Sequence, residues 1–148
     1  MGTVGLKDII TVPLRRIAVT GGDVMHAMKK GDPGYNEFGE AYFSWAKKGH
    51  VKAWKRHTEM TMNLVVPLGE IRFVFVSPQN PEEFRVEDIG ASNYTRITVP
   101  PGIWFGFTGI SEQDSLLMNI ANIIHAPDES LKKTVSSFSF NWLIHNCK

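Results

Sequence analysis

The sequence has a single cysteine, no long apolar run and almost no net charge. Cys147 lies near the C-terminus without a CxxC partner, which excludes an internal disulfide and favours a reducing, cytoplasmic setting. No run reaches the ~18 apolar residues of a membrane-spanning helix, so we expect no membrane partner. The 16 Lys and Arg residues nearly balance the 15 Asp and Glu residues. This balance argues against a protein that holds nucleic acid by bulk charge.

Short β-prone segments separated by glycine and proline dominate the chain, whose 148 residues suit one domain. Many short strands in one small domain indicate an all-β sandwich, jelly roll or barrel. The stretch 9–20 would leave an exposed β edge in a lone domain, which favours pairing with a partner chain. The pattern predicts strands at 9–12, 16–20, 24–28, 40–45, 51–56, 62–66, 71–76, 96–99 and 115–120, and one or two helical turns within 128–135.

Two stretches resemble the two cupin motifs. The first runs from Gly49 to Gly69 with the family spacing, and the second is the Pro-x-Gly segment at residues 100–105. The metal-ligand positions of the two motifs hold Lys55, His57, Met62 and Phe105. Only the histidine is a good transition-metal ligand, so the sequence predicts no metal and no other cofactor. A metal-dependent cupin dioxygenase or isomerase is disfavoured for the same reason.

Longer stretches resemble the dTDP-4-dehydrorhamnose 3,5-epimerase-like family, a metal-free branch of the cupins. They lie at 39–44, 51–67, 99–107 and 119–129, and the likeness covers roughly residues 15–130, closest to the short epimerase-related members. The resemblance implies a cupin-type double-stranded β-helix, a jelly-roll barrel with little helix, as one domain over 1–148. It also implies a nucleotide-sugar ligand inside the barrel and a homodimer, with N-terminal strands of about residues 8–30 exchanged or paired.

The chemistry of this family is proton abstraction next to a ketone, and the resemblance makes His57 the general base. The family's enolate-stabilising lysine falls on Met62 and its tyrosine acid falls near Met118. Lys55 is a candidate to replace the lysine, because residues two apart on a strand face the same side. Tyr42 is a candidate to replace the acid. The alternatives are that His57 is a hydrogen-bonded core histidine, that Lys55 points to solvent and that Tyr42 only packs.

The remaining candidates concern substrate binding. If Ile71, Phe73 and Phe75 face outward, Arg72 points into the barrel and could meet a diphosphate. Otherwise Arg72 is a solvated strand residue. The family's nucleotide-binding arginine falls on Gly21, so nucleotide contacts must differ. The two tryptophan candidates stack on a base or a sugar, or belong to the core. The two histidine candidates lie where the family has residues near the ligand. These candidates are His26, Trp54, Asn63, Trp104, Met118 and His125.

The sequence therefore leaves two functions open. The first is an epimerase or isomerase that acts on a nucleotide-linked 4-keto-sugar, with His57 as base. The alternative is a non-catalytic cupin that has lost the family's lysine and tyrosine and only binds a sugar or nucleotide-sugar.

Overall fold

The computed structural model describes residues 2–143, so Cys147 lies outside the described residues. Twelve strands and three single-turn 3₁₀ helices make up the fold, which confirms the all-β expectation. The strands are β1 Ile10–Pro13, β2 Arg16–Ile17, β3 Val24–Met25, β4 Glu40–Ala46, β5 Val51–His57, β6 Met62–Leu68, β7 Glu70–Val76, β8 Phe84–Gly90, β9 Thr95–Val99, β10 Trp104–Gly109, β11 Ser115–Ala121 and β12 Ser130–Lys132. The 3₁₀ helices are Leu6–Asp8, Pro127–Glu129 and Val135–Ser137.

Two five-stranded antiparallel sheets form the jelly roll. The first sheet has the order β1-β9-β6-β11-β4, and the second has the order β12-β5-β10-β7-β8. The strands β2 and β3 form a separate hairpin. Among residues 2–143, no helix is long and apolar enough to cross a membrane.

The main core lies between the inner faces of the two sheets. On β7, Ile71, Phe73 and Phe75 belong to this core, whereas Val74 and Val76 belong to a second cluster on the outer face of the sheet. The C-terminal segment at residues 135–143 covers that outer face with aromatic rings. Burial on both faces explains why β7 reads as a continuous β-branched and aromatic run.

Two motif glycines, Gly69 and Gly102, lie in tight turns next to strand ends. Gly69 joins β6 to β7 with a φ of 81°, and a Cβ there would lie 2.2 Å from Ser115 Oγ. Gly102 has a φ of 95°, and its N–H donates to the His57 carbonyl at 2.8 Å. Both positions favour glycine because other residues rarely adopt this backbone conformation. The second turn fixes the end of β5.

The predicted strands are present, with two ending early: those predicted at 16–20 and 24–28 span only β2 and β3. Three strands were missed: β8, β10 and β12. β8 was missed because it is rich in charged residues, as suits a strand at the edge of its sheet. The segment of β10 was recognised only as part of a motif. The helical prediction for 128–135 is wrong in its centre, where β12 pairs with β5 and only short 3₁₀ turns flank it. β1 pairs with β9 of its own chain.

Candidate functional site

A cavity of about 340 Å³ opens between the two sheets, a size suited to part of a small-molecule ligand. Strands β4, β6 and β11 supply one wall, and β5, β10 and β12 supply the other. No Asp or Glu lines the cavity among the residues that the structure describes. Its side chains are mainly apolar (Met62, Leu64, Phe105, Phe107, Leu117), neutral polar (Tyr42, Ser44, Asn119) or cationic (Lys52, Lys55, Lys132).

A bulge in β5 sets which of its residues face the cavity. The register with β10 pairs Phe105 with Lys55 but Gly106 with Ala53, which leaves an extra residue in β5. Lys52 and Lys55 therefore both line the cavity, although residues three apart on a regular strand face opposite sides. The sequence predicted the shared face of Lys55 and His57 but not the addition of Lys52.

His57 lies beside the cavity wall in a buried pair with Glu129. Its side chain is 3% exposed and stacks on Phe105, with ring centroids 6.1 Å apart. His57 Nδ1 lies 2.7 Å from Glu129 Oε1. Glu129 Oε2 accepts hydrogen bonds from the N–H groups of Glu59 and Met60 at 3.0 and 2.9 Å. These contacts fix both the carboxylate and the orientation of the imidazole ring.

The electrostatics of the pair favour a neutral histidine beside an ionised carboxylate. Burial lowers the pKa of His57, and the hydrogen bond with Glu129 offsets only part of that effect. For Glu129, burial raises the pKa, but the hydrogen bonds from Glu59, His57 and Met60 together outweigh it and leave the pKa lowered. An ionised carboxylate requires Nδ1–H as donor, so Nε2 carries the free lone pair. A neutral imidazole with a fixed tautomer is suited to accept a proton.

Lysines give the second-sheet wall its positive charge. Lys132 on β12 lies directly opposite Lys55 on β5 in the antiparallel register. Burial lowers the pKa of Lys55, and the neighbouring charge of Lys132 lowers it further, while Glu129 acts in the opposite direction. Lys52 Nζ donates to the Trp45 carbonyl of β4 at 2.8 Å, so it reaches across to the first sheet.

The first-sheet wall combines apolar side chains with polar ones that carry no charge. Asn119 Nδ2 donates to Tyr42 Oη at 3.0 Å, and Asn119 Oδ1 accepts from the Asn63 N–H at 3.1 Å. Because Tyr42 Oη accepts this bond, its own proton is available to a ligand. Tyr42 and His57 belong to opposite sheets, so they approach a ligand in the cavity from different sides.

Three candidates on the second sheet need correction because their side chains lie on its outer face. Trp54 borders the cavity but packs its indole on Phe138 and donates Nε1–H to the Val135 carbonyl at 3.0 Å. Trp104 also contacts Phe138. Arg72 lies on the face opposite Phe73 and Phe75 and donates twice to Asp88, both at 2.7 Å. Strand alternation places all three behind the wall rather than inside the barrel.

Two candidates on the first sheet are corrected in the same way. Met118 alternates with Leu117 and Asn119, which line the cavity, so it lies on the outer face. Asn63 alternates with Met62 and Leu64. Its Nδ2 donates to the Gly34 carbonyl at 3.2 Å, and its Oδ1 accepts from Thr98 at 2.6 Å. The side chain of Asn63 therefore holds a loop.

The two histidine candidates outside β5 do not line the cavity. His26 is exposed beside a separate cleft that includes Arg15 and Arg96. His125 is exposed, and its N–H donates to Glu40 Oε1 at 2.8 Å. A charge on His125 lowers the pKa of His57, so His125 lies within electrostatic range of His57.

Sequence reasoning missed three residues of the site: Asn119, Glu129 and Lys132. Glu129 lies 72 positions from its histidine partner, so no local pattern reveals the pair. The only local signal was alternation: polar Asn119 sits on the same face of β11 as the buried Leu117 and Ala121. Lys132 required the pairing of β12 with β5, where the sequence had predicted helical turns.

The four cupin ligand positions do converge. Lys55, Met62 and Phe105 line the cavity, and His57 lies next to them. Within residues 2–143, no three His, Cys, Asp or Glu side chains lie close enough to hold a metal ion. The donor set at the centre is therefore poor for a transition metal.

Comparison with known proteins places this geometry in a family. No family model matches the chain. The probable low-salt glycan biosynthesis epimerase Agl13 of Haloferax volcanii is 31% identical over 97 residues, which are 60% of this chain and 62% of that protein. The chain thus matches less than two thirds of that relative's length.

Two solved structures share the fold. The dTDP sugar isomerase from Desulfovibrio desulfuricans G20 has a TM-score of 0.87 and 30% identity, covering 96% of both chains. The dTDP-4-dehydrorhamnose 3,5-epimerase from Sulfolobus tokodaii has a TM-score of 0.79 and 20% identity, covering 98% of this chain and 86% of the other. The first likeness extends along nearly the whole chain in both sequence and structure. The chain belongs to the dTDP-4-dehydrorhamnose 3,5-epimerase-like family of cupins.

Proposed function

We propose that the protein is an epimerase or isomerase of a nucleotide-linked 4-keto-sugar. The observation that carries this proposal is the buried His57–Glu129 pair beside the cavity, with the histidine neutral and its tautomer fixed. Such a pair is suited to remove a proton from the carbon next to a ketone. The family supports the substrate class, since its members named above are sugar epimerases and isomerases.

In the proposed reaction, His57 Nε2 takes the proton from that carbon, and the C–H electron pair moves to form an enolate. Glu129 stabilises the imidazolium that results, as a carboxylate partner does in other acid–base pairs. Lys55, on the same face of β5, provides positive charge for the enolate oxygen. Tyr42 returns a proton from the first-sheet side, which inverts the carbon. If the proton returns instead to the former carbonyl carbon, and the hydroxyl proton on the first carbon moves to the former carbonyl oxygen, the ketone shifts to the first carbon.

We also propose that the reaction needs no metal. The support is the donor set: at the four cupin ligand positions only His57 is a good ligand type, and its Nδ1 is held by Glu129. Elemental analysis of the purified protein should find no stoichiometric transition metal. About one zinc, iron, nickel or manganese per chain would contradict this part of the proposal.

A homodimer, which the family resemblance implied, is part of the same proposal. β4 is an edge strand of the first sheet and exposes two aromatic rings on its outer side, Phe43 at 63% and Trp45 at 55%. β1 is the other edge of that sheet, and the β2–β3 hairpin follows it. Exposed strand edges and apolar rings favour pairing with another chain. Light scattering that gives a monomer near 16.6 kDa at micromolar concentration would contradict the homodimer. The cytoplasmic location, which we expected from the single cysteine, stays a prediction.

The test is deuterium exchange monitored by NMR, with TDP-4-keto-6-deoxyglucose and the protein in D₂O. We expect deuterium next to the ketone with the wild type, and a loss of about 10²- to 10⁴-fold in His57→Asn. The matched control is His50→Asn, an exposed histidine at the start of the same strand region, which should exchange at the wild-type rate. Equal exchange in His57→Asn and wild type would remove the catalytic assignment.

The alternative function is a cupin that binds a nucleotide-sugar without chemistry. Two observations favour it: Met62 lines the cavity where the family has a lysine, and β11 presents Leu117 and Asn119 rather than a tyrosine. Ligand binding without deuterium exchange in the wild-type protein would support this alternative and contradict the enzymatic proposal.

A further inference from the structure

We propose that Asn119 is a positioning residue that aims the Tyr42 hydroxyl proton into the cavity and so decides whether the product is inverted. This inference rests on the proposed function and adds to it the residue that controls the stereochemical outcome. Both side chains line the cavity on the first sheet. Asn119 is only 3% exposed and Tyr42 is half-buried, so water competes little for the contact between them.

The first step is that strand pairing places the two side chains next to each other. β11 lies between β6 and β4, and Asn119 on β11 stands directly opposite Tyr42 on β4. Side chains of directly opposed residues share one face of a sheet and lie within contact distance. On its other side, Asn119 pairs with Leu64 of β6, next to Asn63. The asparagine therefore contacts the strands on both sides of its own.

The second step is that the contacts of Asn119 allow only one orientation of its amide. The backbone N–H of Asn63 lies 3.1 Å from Asn119 Oδ1, and a backbone N–H can only donate. The amide oxygen must therefore face β6, which leaves Nδ2 to donate to Tyr42 Oη at 3.0 Å. Nδ2 also lies 3.6 Å from Met60 Sδ, a weak acceptor. A flipped amide would set two donors against each other at Asn63.

The third step is that this orientation directs the Tyr42 proton. An amide nitrogen cannot accept, so Tyr42 Oη accepts in this bond and its own hydrogen points elsewhere. Tyr42 Oη has no other hydrogen-bond partner among residues 2–143, and it faces the cavity. The bonds from Asn63 to Asn119 and from Asn119 to Tyr42 run in the same direction, and bonds in such a chain strengthen one another.

The reaction step that depends on this arrangement is the return of the proton. Tyr42 gives its hydroxyl proton to the enolate carbon from the first-sheet side, and the electron pair of the enolate forms the new C–H bond. The O–H electron pair stays on Tyr42 as a phenolate, which the hydrogen bond from Asn119 stabilises. Solvent then returns a proton to Tyr42 and takes one from His57. Without an aimed proton, the carbon is protonated from the His57 side and keeps its configuration.

The experiment measures inversion and deuterium uptake together by NMR, with TDP-4-keto-6-deoxyglucose in D₂O. Asn119→Leu keeps a similar volume but removes the donor. We expect it to form inverted product about tenfold more slowly, because a hydrogen bond to Tyr42 is lost, while uptake next to the ketone stays within about twofold.

Asn119→Asp keeps the shape of the side chain and the acceptor for the Asn63 N–H. An ionised carboxylate can only accept, so it takes the Tyr42 proton away from the cavity. Inversion should then fall by about 10²-fold, as in Tyr42→Phe, while uptake persists. Lower pH protonates the new carboxyl and restores a donor, so the ratio of inversion to uptake should rise. A merely structural role of Asn119 would give no such pH dependence.

Two further variants serve as controls. The double variant Tyr42→Phe/Asn119→Asp should invert no more slowly than Tyr42→Phe alone, because Asn119 acts through Tyr42. The matched control is Asn122→Asp. Asn122 follows the same strand, and its Oδ1 accepts from the Thr61 N–H at 2.8 Å, but it does not line the cavity. The same change there should leave the ratio of inversion to uptake as in the wild type.

The inference is overturned if every folded Asn119 variant keeps the wild-type ratio of inversion to uptake, or if uptake falls together with inversion. Melting temperatures identify a variant that fails to fold. If Asn119→Leu does not fold, Asn119→Asp decides, since it keeps the bond to Asn63.

Failure of this inference and failure of the proposed function are distinguishable. Uptake and inversion that do not respond to Asn119 would support the activity and overturn the positioning role. In a wild type without uptake, the aimed proton should still donate to the bound sugar. Asn119→Asp and Tyr42→Phe should then weaken binding of the keto-sugar nucleotide, relative to TDP, by a similar factor of about three to ten. An unchanged relative affinity in Asn119→Asp would overturn the inference in that case.

Discussion

The two faces of β5 carry residues with opposite tasks. The inner face presents Lys52, Lys55 and His57 to a cavity or its wall, whereas the outer face presents Trp54 and Arg56 to the aromatic cluster of the C-terminal segment. The inner side chains are cationic or titratable and have few partners, while the outer ones are enclosed by rings. One strand thus combines a face toward the cavity with a packed face that holds it in place.

This comparison teaches that residue type alone does not identify the site. Tryptophan and arginine are frequent in ligand sites, yet Trp54, Arg72 and Trp104 all lie on the outer face of the second sheet. The residues at the cavity are instead lysines, together with a histidine whose glutamate partner is distant in sequence. The predictions below test this division of tasks, from the largest expected effect to the smallest.

Trp54→Ala should destabilise the protein by about 3–5 kcal/mol, because it removes a fully buried ring that contacts Phe84, Phe138 and Trp142. Urea unfolding measures the change. The control Ile124→Ala removes a side chain that is 73% exposed and should stay within about 0.5 kcal/mol of wild type. A Trp54→Ala protein as stable as the control would break the assignment of this face to packing.

Tyr42→Phe should slow formation of the inverted product by about 10²-fold or more, because the group that returns the proton from the first-sheet side is lost. Deuterium uptake next to the ketone should persist, since His57 still removes and returns a proton from its own side. NMR distinguishes the two products in one sample. Loss of uptake together with inversion would instead make Tyr42 part of the first proton transfer.

Glu129→Gln should lower the rate of deuterium exchange by about 10- to 100-fold, because a neutral amide stabilises the imidazolium less than a carboxylate does. The expected effect is on kcat, since Glu129 is not among the residues that line the cavity. The same variant measured by TDP titration should keep its affinity within about twofold. A variant that exchanges at the wild-type rate would show that His57 does not need its partner.

Lys55→Met should reduce exchange by about tenfold, since it removes the positive charge proposed for the enolate oxygen. A methionine keeps most of the side-chain volume, so the melting temperature should change little. Lys47→Met, in the exposed turn before β5, is the matched control and should leave exchange unchanged. An unchanged rate in Lys55→Met would place the stabilising charge elsewhere, with Lys132 as the next residue to test.

The pH dependence of kcat/KM tests the proposed role of the His57–Glu129 pair. Because burial lowers the pKa of His57, the ring stays neutral at lower pH than a free histidine does, and the acid limb should lie below pH 6.5. Below that limb the ring is protonated and cannot act as base. Glu129→Gln removes a partner that raises this pKa, so its acid limb should move to still lower pH. A limb above pH 6.5 would contradict the neutral pair.

Part of the site was predictable because it depends on local alternation and on motif spacing. Lys55 and His57 are two residues apart, and the glycines at 49 and 69 mark the motif that contains them. Tyr42 could be proposed from its place in a predicted strand. The inner and outer faces of β6, β7 and β11 could not be assigned, because a regular strand has two equivalent alternations until the opposing sheet is known.

The sequence by itself determined the all-β class, most of the strands and the family, and it singled out His57 as the candidate base, because these follow from strand periodicity and from motifs within short segments. Only the tertiary structure decided the partner of His57, the wall that includes Lys132, and the bulge that turns Lys52 toward the cavity. It also decided that Arg72 and the tryptophans lie outside. The physical reason is that each of these depends on register and on contacts between segments far apart in the chain, which local propensity does not encode.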